Sequence, residues 1–389
     1  MGYVAVRGGG KAIEESLKLL EYERVSSSSA WGTDEIEGTF PELVDQVMGE
    51  ASLYAPRLAA LALKQAQGST DEAVFLLRAF RSTLERPYVS RPVDTGAMQV
   101  RRRVSAAFKD VPGGQVFGAT RDYSHRLLAF DLETEGADEL VEKRAELAAH
   151  FEEAVEAHAG DAAAVAVPRV LDYLRAQGLL TRVEDDDAEP VDATMAPLSF
   201  PAPRSVRLQT LARGMTQAVE ALGYAAIRGF GPAHPTVGEL RSGRVAVAVD
   251  HPLEAGGAED AYYLGSIPVT EVESVFEGEG DAKAGAEGGL SLAIGYGLVF
   301  GRAETKAIAM SVLDHCLERG DARFPTEDEE FVLYHVDGVE ATGFISHLKL
   351  PHYVTFQSKL SSVRGTRDQH DLGDQPIAEP KEAFDAAAL

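Results

Sequence analysis

The feature that most constrains the fold is a change of hydrophobic pattern on either side of one acidic, proline-rich segment. Residues 183 to 203, VEDDDAEPVDATMAPLSFPAP, are too polar and too rich in proline to extend a helix or a buried strand. Before this segment most apolar residues recur at helical spacing, whereas beyond it RVAVAVD places Val245, Val247 and Val249 on one face of a strand. The pattern predicts an α+β chain with a largely helical N-terminal half and a mixed α/β C-terminal half.

The same patterns predict a division of the 389 residues into four parts. They are a mainly helical region at 1–135, helices and the acidic linker at 136–200, a mixed α/β domain at 201–358 and a variable, flexible tail at 359–389.

Composition excludes several classes of protein. With 62 acidic against 37 basic residues, the formal net charge is −25, which disfavours a nucleic-acid partner because binding to a phosphate backbone needs clustered Lys and Arg. The single cysteine, Cys316, excludes an internal disulfide and a cysteine-rich zinc module. No run of about 18 apolar residues and no secretion signal is found. We therefore expect a cytoplasmic protein that does not enter a membrane, whose acidity suits a salt-rich cytoplasm and an ordinary one equally.

Local signals place individual elements. Gly68 is a helix stop, and Ser69 with Glu72 has the spacing of a capping box that begins the next helix. GYGLVFG, residues 295 to 301, resembles a dinucleotide-binding loop in its glycine spacing but lacks the full GxGxxG pattern, and neither a P-loop nor a GxSxG sequence is present. We interpret this stretch as a strand and turn that lead into a helix ending at Gly320.

Two histidines in SHLKLPHYV, residues 346 to 354, raise the question of a metal site. His347 and His352 are five positions apart, so a helix would point them in different directions and a strand would place them on opposite faces. A turn at Pro351 could bring both rings to one point, as a metal requires. Two unrelated histidines are the alternative, because zinc normally takes three or four protein ligands.

The stretch before these histidines, FVLYHVDGVEATGF, is typical of a β-hairpin. Two strand-like runs are separated by Asp337-Gly338, a favoured pair for a two-residue turn. In that register His335 would lie opposite Glu340, and the carboxylate would raise the basicity of the imidazole. The hairpin would then carry the histidine turn of the mixed α/β half.

Four long blocks of sequence resemble one known family. They are RRRVSAAFKDVPGGQVFGATRDYSHRLLAF, RLQTLARGMTQAVEALGYAAIRGFGPAHPTVGELRSG, GYGLVFGRAETKAIAMSVLD and EFVLYHVDGVEATGFISHLKLPHYVTFQ. In this order they are similar to the I subunit of the carbon–phosphorus lyase (Phn) core complex, a subunit of α-D-ribose 1-methylphosphonate 5-triphosphate synthase. The resemblance extends from the N-terminus to about Gln357.

The resemblance implies a specific activity and specific partners. Such a subunit displaces the purine of ATP or GTP with an alkylphosphonate at ribose C1, and alone it is a nucleosidase that releases the base to water. It implies assembly with the other core subunits, including the radical subunit, in a symmetric hetero-oligomer. It also implies that the HLKLPH histidines, His347 and His352, bind zinc that a partner subunit shares. A non-catalytic scaffold that only contributes these zinc ligands is the alternative.

The chemistry of N-glycosidic cleavage indicates which other side chains to consider. A carboxylate must stabilise an oxocarbenium-like state and an acid must protonate the base, while arginine suits a triphosphate. The predicted catalytic residues are Glu304, Asp337 and His335, with Asp122 and His125 as further candidates, and the predicted substrate-binding residues are Arg101, Arg213 and Lys306. For each of them a structural ion pair or a solvated surface position is the competing interpretation.

Overall fold

The computed structural model describes residues 9–26, 30–158, 167–180, 189–230, 234–253, 261–277, 291–321, 323–350 and 352–369, with the backbone alone for 154–158. The chain forms two compact units, the larger comprising Trp31–Val339 and the smaller comprising Met1–Ala30 with Glu340–Leu389. The smaller unit contains α1, most of α12 and α13 as bounded below. None of the helices in the described ranges is long and apolar enough to cross a membrane.

The elements confirm the predicted α+β class. The helices in the described residues are α1 Gly9–Arg24, α2 Thr33–Thr39, α3 Pro41–Ala51, α4 Pro56–Gln65, α5 Thr70–Arg81, α6 Ala137–His158, α7 Val170–Ala176, α8 Arg204–Arg213, α9 Thr216–Ala225, α10 Glu304–Arg319, α11 Glu329–His335, α12 Gly338–Ser346 and α13 Tyr353–Gln369. The strands are β1 Gln99–Val104, β2 Thr236–Asp250, β3 Ala261–Glu277 and β4 Leu292–Phe300.

Helices α2 to α5 form a layer with its own apolar core. Proline begins both α3 and α4, where its fixed φ suits the first helical turn. The Ser69 hydroxyl accepts a hydrogen bond from the Glu72 N–H, which confirms the predicted start of α5. Val47, Ala59 and Leu77 lie in the core that these helices enclose.

The four strands form one antiparallel sheet in the order β1-β2-β3-β4. Helix α10 packs on one face of this sheet, and its Met310 and Leu313 belong to the main apolar core. A Cβ atom at Gly295 would lie 1.9 Å from the Ser311 carbonyl oxygen, and one at Gly297 would lie 2.1 Å from that of Ala307. The glycines of GYGLVFG therefore allow the backbones of β4 and α10 to touch.

The opposite face of the sheet carries a buried polar network. Arg103 of β1 is fully buried and pairs with Glu239 of β2 at 2.7 Å. Arg241 pairs in the same way with Glu271 of β3. The Arg103 guanidinium also donates to the carbonyl oxygens of Pro112, Gly114 and Pro168, so it holds these loop residues against the sheet.

The hairpin predicted around Asp337-Gly338 is wrong, because the structure has two helices, α11 and α12, there. A tight hairpin turn of this kind requires positive φ at its central residues, and Gly338 does not adopt it. Gly338 instead allows close contact with Met215, whose Cβ would lie 2.9 Å from an added Cβ. The Asp337 carboxylate accepts from the Val339 N–H at 3.0 Å in the first turn of α12. The Asp337-Gly338 pair therefore begins helix α12 and does not form a hairpin turn.

The segment that follows carries the two histidines between helices. A short 3₁₀ turn, His347–Lys349, connects α12 to α13. Pro351, to which we assigned the turn, lies outside the described residues. Helix α13 continues to Gln369, so the first residues of the predicted tail are helical, and residues 370 to 389 are outside the described part.

Candidate functional site

The larger unit contains a cleft with a volume of about 800 Å³, which is in the range of small-molecule sites. Its walls are built by α2 and α3, by β1 with the neighbouring part of β2, by the loop at 119–126, and by the start of α10. Sheet and helices thus fix the side chains from several sides.

Six arginines line this cleft in a chain whose formal net charge is −25. They are Arg101, Arg102, Arg121, Arg126, Arg244 and Arg302. Arg101 is exposed and makes no hydrogen bond within the described ranges, while Arg302 is half exposed and lies 3.4 Å from Asp45. Acidic side chains of the cleft pair with Arg102, Arg121, Arg126 and, more loosely, Arg302. Arg101 and Arg302 are therefore the guanidinium groups most available to an anionic ligand, and arginine matches phosphate geometry.

Arg102 holds two acidic side chains at the cleft. Its Nε donates to Glu304 Oε1 at 2.7 Å and its Nη2 to Asp122 Oδ2 at 2.5 Å, and its Nη1 donates to the Phe117 carbonyl oxygen at 2.7 Å. Burial opposes its charge, but the hydrogen bond and the negative charge of Glu304 outweigh burial and raise the pKa of Arg102. The guanidinium is therefore a permanent anchor that orients the Glu304 carboxylate.

Helix α10 begins at the cleft, with Glu304 and Thr305 among the lining residues. Its N-cap residue, Ala303, supplies no side-chain hydrogen bond to the first turn. Backbone N–H groups at the start of a 16-residue helix carry partial positive charge that favours anions. Together with the arginines, this helix start gives the cleft a second source of anion attraction.

Asp45 of α3 is a buried carboxyl in the wall of the cleft, with 8% of its surface exposed. Burial raises the pKa of Asp45, and the bond from Arg302 N–H to Oδ2 at 3.2 Å only partly opposes this. Gly301 has φ of +70°, and a Cβ there would lie 2.3 Å from the Asp45 Cβ. The Gly301-Arg302 backbone therefore holds the carboxyl closely in place.

The cleft brings together some of the residues predicted from sequence. Glu304 and Arg101 line it, as does the further candidate Asp122. Lys306, two positions after Glu304, does not line it: its Nζ donates to the carbonyl oxygens of Ala212 and Gly214 at 2.8 and 2.7 Å. Burial lowers the pKa of Lys306 to about 8.

Three further predicted residues do not line the cleft: Arg213 lies at the end of α8, and His335 and Asp337 lie around the junction of α11 and α12. The further candidate His125, in the loop at 119–126, does not line it either. Arg213 donates to the Ala193 carbonyl oxygen at 2.7 Å. Burial and, to a smaller extent, repulsion from Arg78 lower the pKa of Arg213 to about 10. Asp337 accepts both 2.8 and 2.9 Å bonds from Arg78. His335 Nδ1 lies 2.6 Å from the Phe331 carbonyl oxygen, within its own helix.

The two histidines of the smaller unit lie close together. The ring centroids of His347 and His352 are 5.5 Å apart and the rings are nearly perpendicular. Two imidazoles on one tetrahedral zinc ion, with Zn–N of about 2.0–2.1 Å, would have centroids about 5 Å apart. His347 Nδ1 bonds to the Phe344 carbonyl oxygen, which favours the tautomer whose Nε2 can ligate a metal. The ring spacing is close to that of two zinc ligands, while His352 Nε2 lies 3.2 Å from the His347 carbonyl oxygen.

A complete metal site is not formed by these residues. No group of three or more His, Cys, Asp or Glu in the ranges the structure describes is placed to hold a metal ion. The pair would need ligands from elsewhere, such as a partner subunit, water or a phosphate oxygen.

Sequence reasoning missed Asp45, Arg244 and Arg302. One signal existed for Asp45, which lies among Val44, Val47 and Met48 on the buried side of α3. A carboxylate in an apolar stripe is unusual enough to indicate a special role. No local signal distinguishes the two arginines, because β2 and the loop before α10 reach the cleft only in the folded chain.

Comparison with known proteins agrees with the resemblance read from the sequence. Residues 2–370 match the family model described as "Bacterial phosphonate metabolism protein (PhnI)". The chain is 43% identical over 376 residues to a putative C-P lyase subunit protein HtxH of Stutzerimonas stutzeri, covering 95% of this chain and 97% of that protein. It is 44% and 42% identical to the proteins named alpha-D-ribose 1-methylphosphonate 5-triphosphate synthase subunit PhnI of Rhizobium meliloti and Escherichia coli, again over 95% of this chain and over 96% and 100% of theirs.

Proposed function

The chain belongs to the PhnI family of bacterial phosphonate metabolism proteins, and on that premise we propose that it displaces the purine of ATP or GTP with an alkylphosphonate. The product would be the α-D-ribose 1-phosphonate 5-triphosphate, methylphosphonate giving the compound in the relatives' names. We further propose that the chain alone releases the base to water, and that it works in the cytoplasm within a symmetric hetero-oligomer of carbon–phosphorus lyase subunits.

The arginine-lined cleft is the observation that carries this proposal. A nucleoside triphosphate has about four negative charges. The cleft offers it Arg101, which has no ion-pair partner among the described residues, together with the weakly paired Arg302 and the N-terminus of α10. Its volume of about 800 Å³ is enough for such a ligand. We assign the triphosphate to these groups.

Glu304 is the carboxylate that we assign to the reacting sugar. Breaking the bond between ribose C1 and the purine nitrogen builds positive charge on the sugar, which a nearby carboxylate stabilises. Arg102 holds the Glu304 carboxylate by a 2.7 Å bond, so this group is oriented before the substrate binds. The phosphonate oxygen, or water in its absence, then attacks C1 from the face opposite the departing purine, which inverts C1 and gives the α product.

The test is base release by the purified chain. ATP and GTP are incubated with the chain alone and with the partner subunits plus methylphosphonate, and free adenine and guanine are quantified. We expect Arg101→Ala to raise KM for the nucleotide by about 10-fold or more, the value of a hydrogen bond to a charged group. We expect Glu304→Gln to lower kcat by at least about 100-fold.

Arg144→Ala is the matched control, because Arg144 is exposed on α6 and does not line the cleft. It should leave both constants unchanged. If neither the chain nor the assembly releases base, the proposal fails. If release persists undiminished in Glu304→Gln, the cleft is not its site.

A scaffold role is the second candidate, and the close pair His347 and His352 favours it. We propose that these histidines hold zinc together with groups of a partner subunit, which suits two imidazoles that need further ligands. When bound there, zinc would supply a Lewis acid at the interface. The chain's own part would be to orient the two rings.

Zinc content of the assembled complex tests that assignment. His347→Ala with His352→Ala should remove stoichiometric zinc without changing the circular dichroism spectrum, whereas His125→Ala, a control outside this turn, should retain it. Zinc that stays bound to the double variant contradicts the assignment. Base release that survives zinc loss would separate the two functions.

A further inference from the structure

One buried acid of the cleft has no part in the roles assigned so far. Asp45 is 8% exposed and lines the same space as Glu304 and the arginines. Its Oδ2 accepts the Arg302 N–H at 3.2 Å, while its Oδ1 makes no hydrogen bond to any described residue. A carboxyl with one oxygen fixed and the other available can exchange a proton with a ligand in the cleft.

We infer that Asp45 is the general acid that protonates the departing purine. The inference rests on the proposed function and adds the group that the reaction still lacks. As the bond between C1 and N9 breaks, its electron pair passes to the purine and the Asp45 proton passes to purine N7. The phosphonate oxygen forms the new bond to C1, and the Asp45 carboxylate regains a proton from solvent. With water in place of the phosphonate, that proton comes from the attacking water.

Geometry and environment give Asp45 and Glu304 different tasks. Glu304 accepts a 2.7 Å hydrogen bond from the permanently charged Arg102, so a cation lies directly beside its carboxylate. Asp45 faces a backbone N–H and the more distant Arg302 Nε at 3.4 Å, and Glu42 adds a like charge on the same helix. Burial raises the pKa of Asp45, so Asp45 keeps its proton to higher pH than an exposed aspartate. Two carboxyls with opposed environments are the usual basis of an acid and charge-stabiliser pair.

The position of Asp45 is fixed by an unusual backbone. Gly301, with φ of +70°, brings the chain so close that any side chain there would collide with the Asp45 Cβ. The Gly301-Arg302 segment continues within two residues into Glu304 at the start of α10. The acid and the charge-stabilising carboxylate are therefore held by one short loop.

The test uses a substrate that does not need the acid. In 7-methyl-GTP the purine already carries a positive charge at N7, so its base leaves without protonation. Base release from GTP and from 7-methyl-GTP is measured for the wild type, Asp45→Asn and the control Asp71→Asn, in which an exposed aspartate of α5 changes in the same way. Each variant is assayed alone and with its partner subunits.

We expect Asp45→Asn to slow release from GTP by about 100-fold or more while leaving 7-methyl-GTP nearly unaffected. Equal loss with both substrates would make Asp45 a structural residue and overturn the inference, as would no loss with either. If the wild type itself releases no base from either substrate, the proposed function fails and the inference fails with it. That outcome is distinct from failure at Asp45 alone.

The wild-type pH profile decides the matter should Asp45→Asn not fold. Release from GTP should fall as pH rises through the pKa of Asp45, and release from 7-methyl-GTP should show no such fall. Parallel profiles for the two substrates would refute the assignment.

Discussion

Replacing Arg103 by Met should destabilise the larger unit more than any surface change. Arg103 is fully buried and Glu239 is 2% exposed, so the substitution leaves a carboxylate in the interior without its cation. Breaking a buried pair in this way costs about 3–5 kcal/mol. Three bonds to the carbonyl oxygens of Pro112, Gly114 and Pro168 are lost as well, each worth about 1 kcal/mol.

The total loss is thus on the order of 5 kcal/mol or more, against a stability of about 5–15 kcal/mol for a folded protein. Urea unfolding followed by fluorescence and circular dichroism would measure it, provided the slope of the transition stays constant.

A second substitution isolates the buried charge. Arg103→Met combined with Glu239→Gln keeps an acceptor for the Val170 N–H but removes the charge, and should recover roughly half of the loss. Arg323→Met is the control, because its pair with Asp321 is on the surface, where ion pairs add little stability. A loss below about 1 kcal/mol in Arg103→Met, or no recovery in the double variant, would refute the reasoning.

Two further predictions concern the cleft and the helix beside it. Gly301→Ala should lower both the melting temperature and the rate of base release. Positive φ costs a non-glycine residue about 1–2 kcal/mol, and the new methyl group would displace Asp45. The control Gly68→Ala, at φ of +86° but in open space, should lower only the melting temperature. The wild-type free energy of unfolding should rise by up to about 3 kcal/mol from pH 8 to 10.5, because Lys306 loses its proton at lower pH in the folded chain than in the unfolded chain. Lys306→Met should lack this rise, whereas the control Lys349→Met, at an exposed position, should keep it. A rise that persists in Lys306→Met would contradict the assignment.

Elements with strong local signals were predictable from sequence. The start of α5 at Ser69 and the end of α10 at Gly320, whose φ is +62°, follow from side-chain capping and from glycine's access to positive φ. The glycine-spaced stretch was correctly interpreted as a strand leading to a helix. These features depend on a few neighbouring residues, so the sequence carries them completely.

The segment around Asp337 shows the limit of such reasoning. Asp-Gly suits both a hairpin turn and a helix start, and local chemistry does not choose between them. The choice follows from Val332, Leu333 and Val336, which are buried together at helical spacing in the main core. Tertiary packing decided what the dipeptide left open.

The candidate cleft likewise combines residues that the sequence predicted with residues that only the folded structure brings together. Sequence by itself determined the family, the α+β class, and Glu304 and Arg101 as residues to consider, because motifs and side-chain chemistry are properties of the chain order. Only the tertiary structure placed both at one cleft, added Asp45 from α3, and bound Lys306 to backbone carbonyls instead. A site is a set of distances between residues far apart in sequence, and those distances exist only after the sheet and helices have packed.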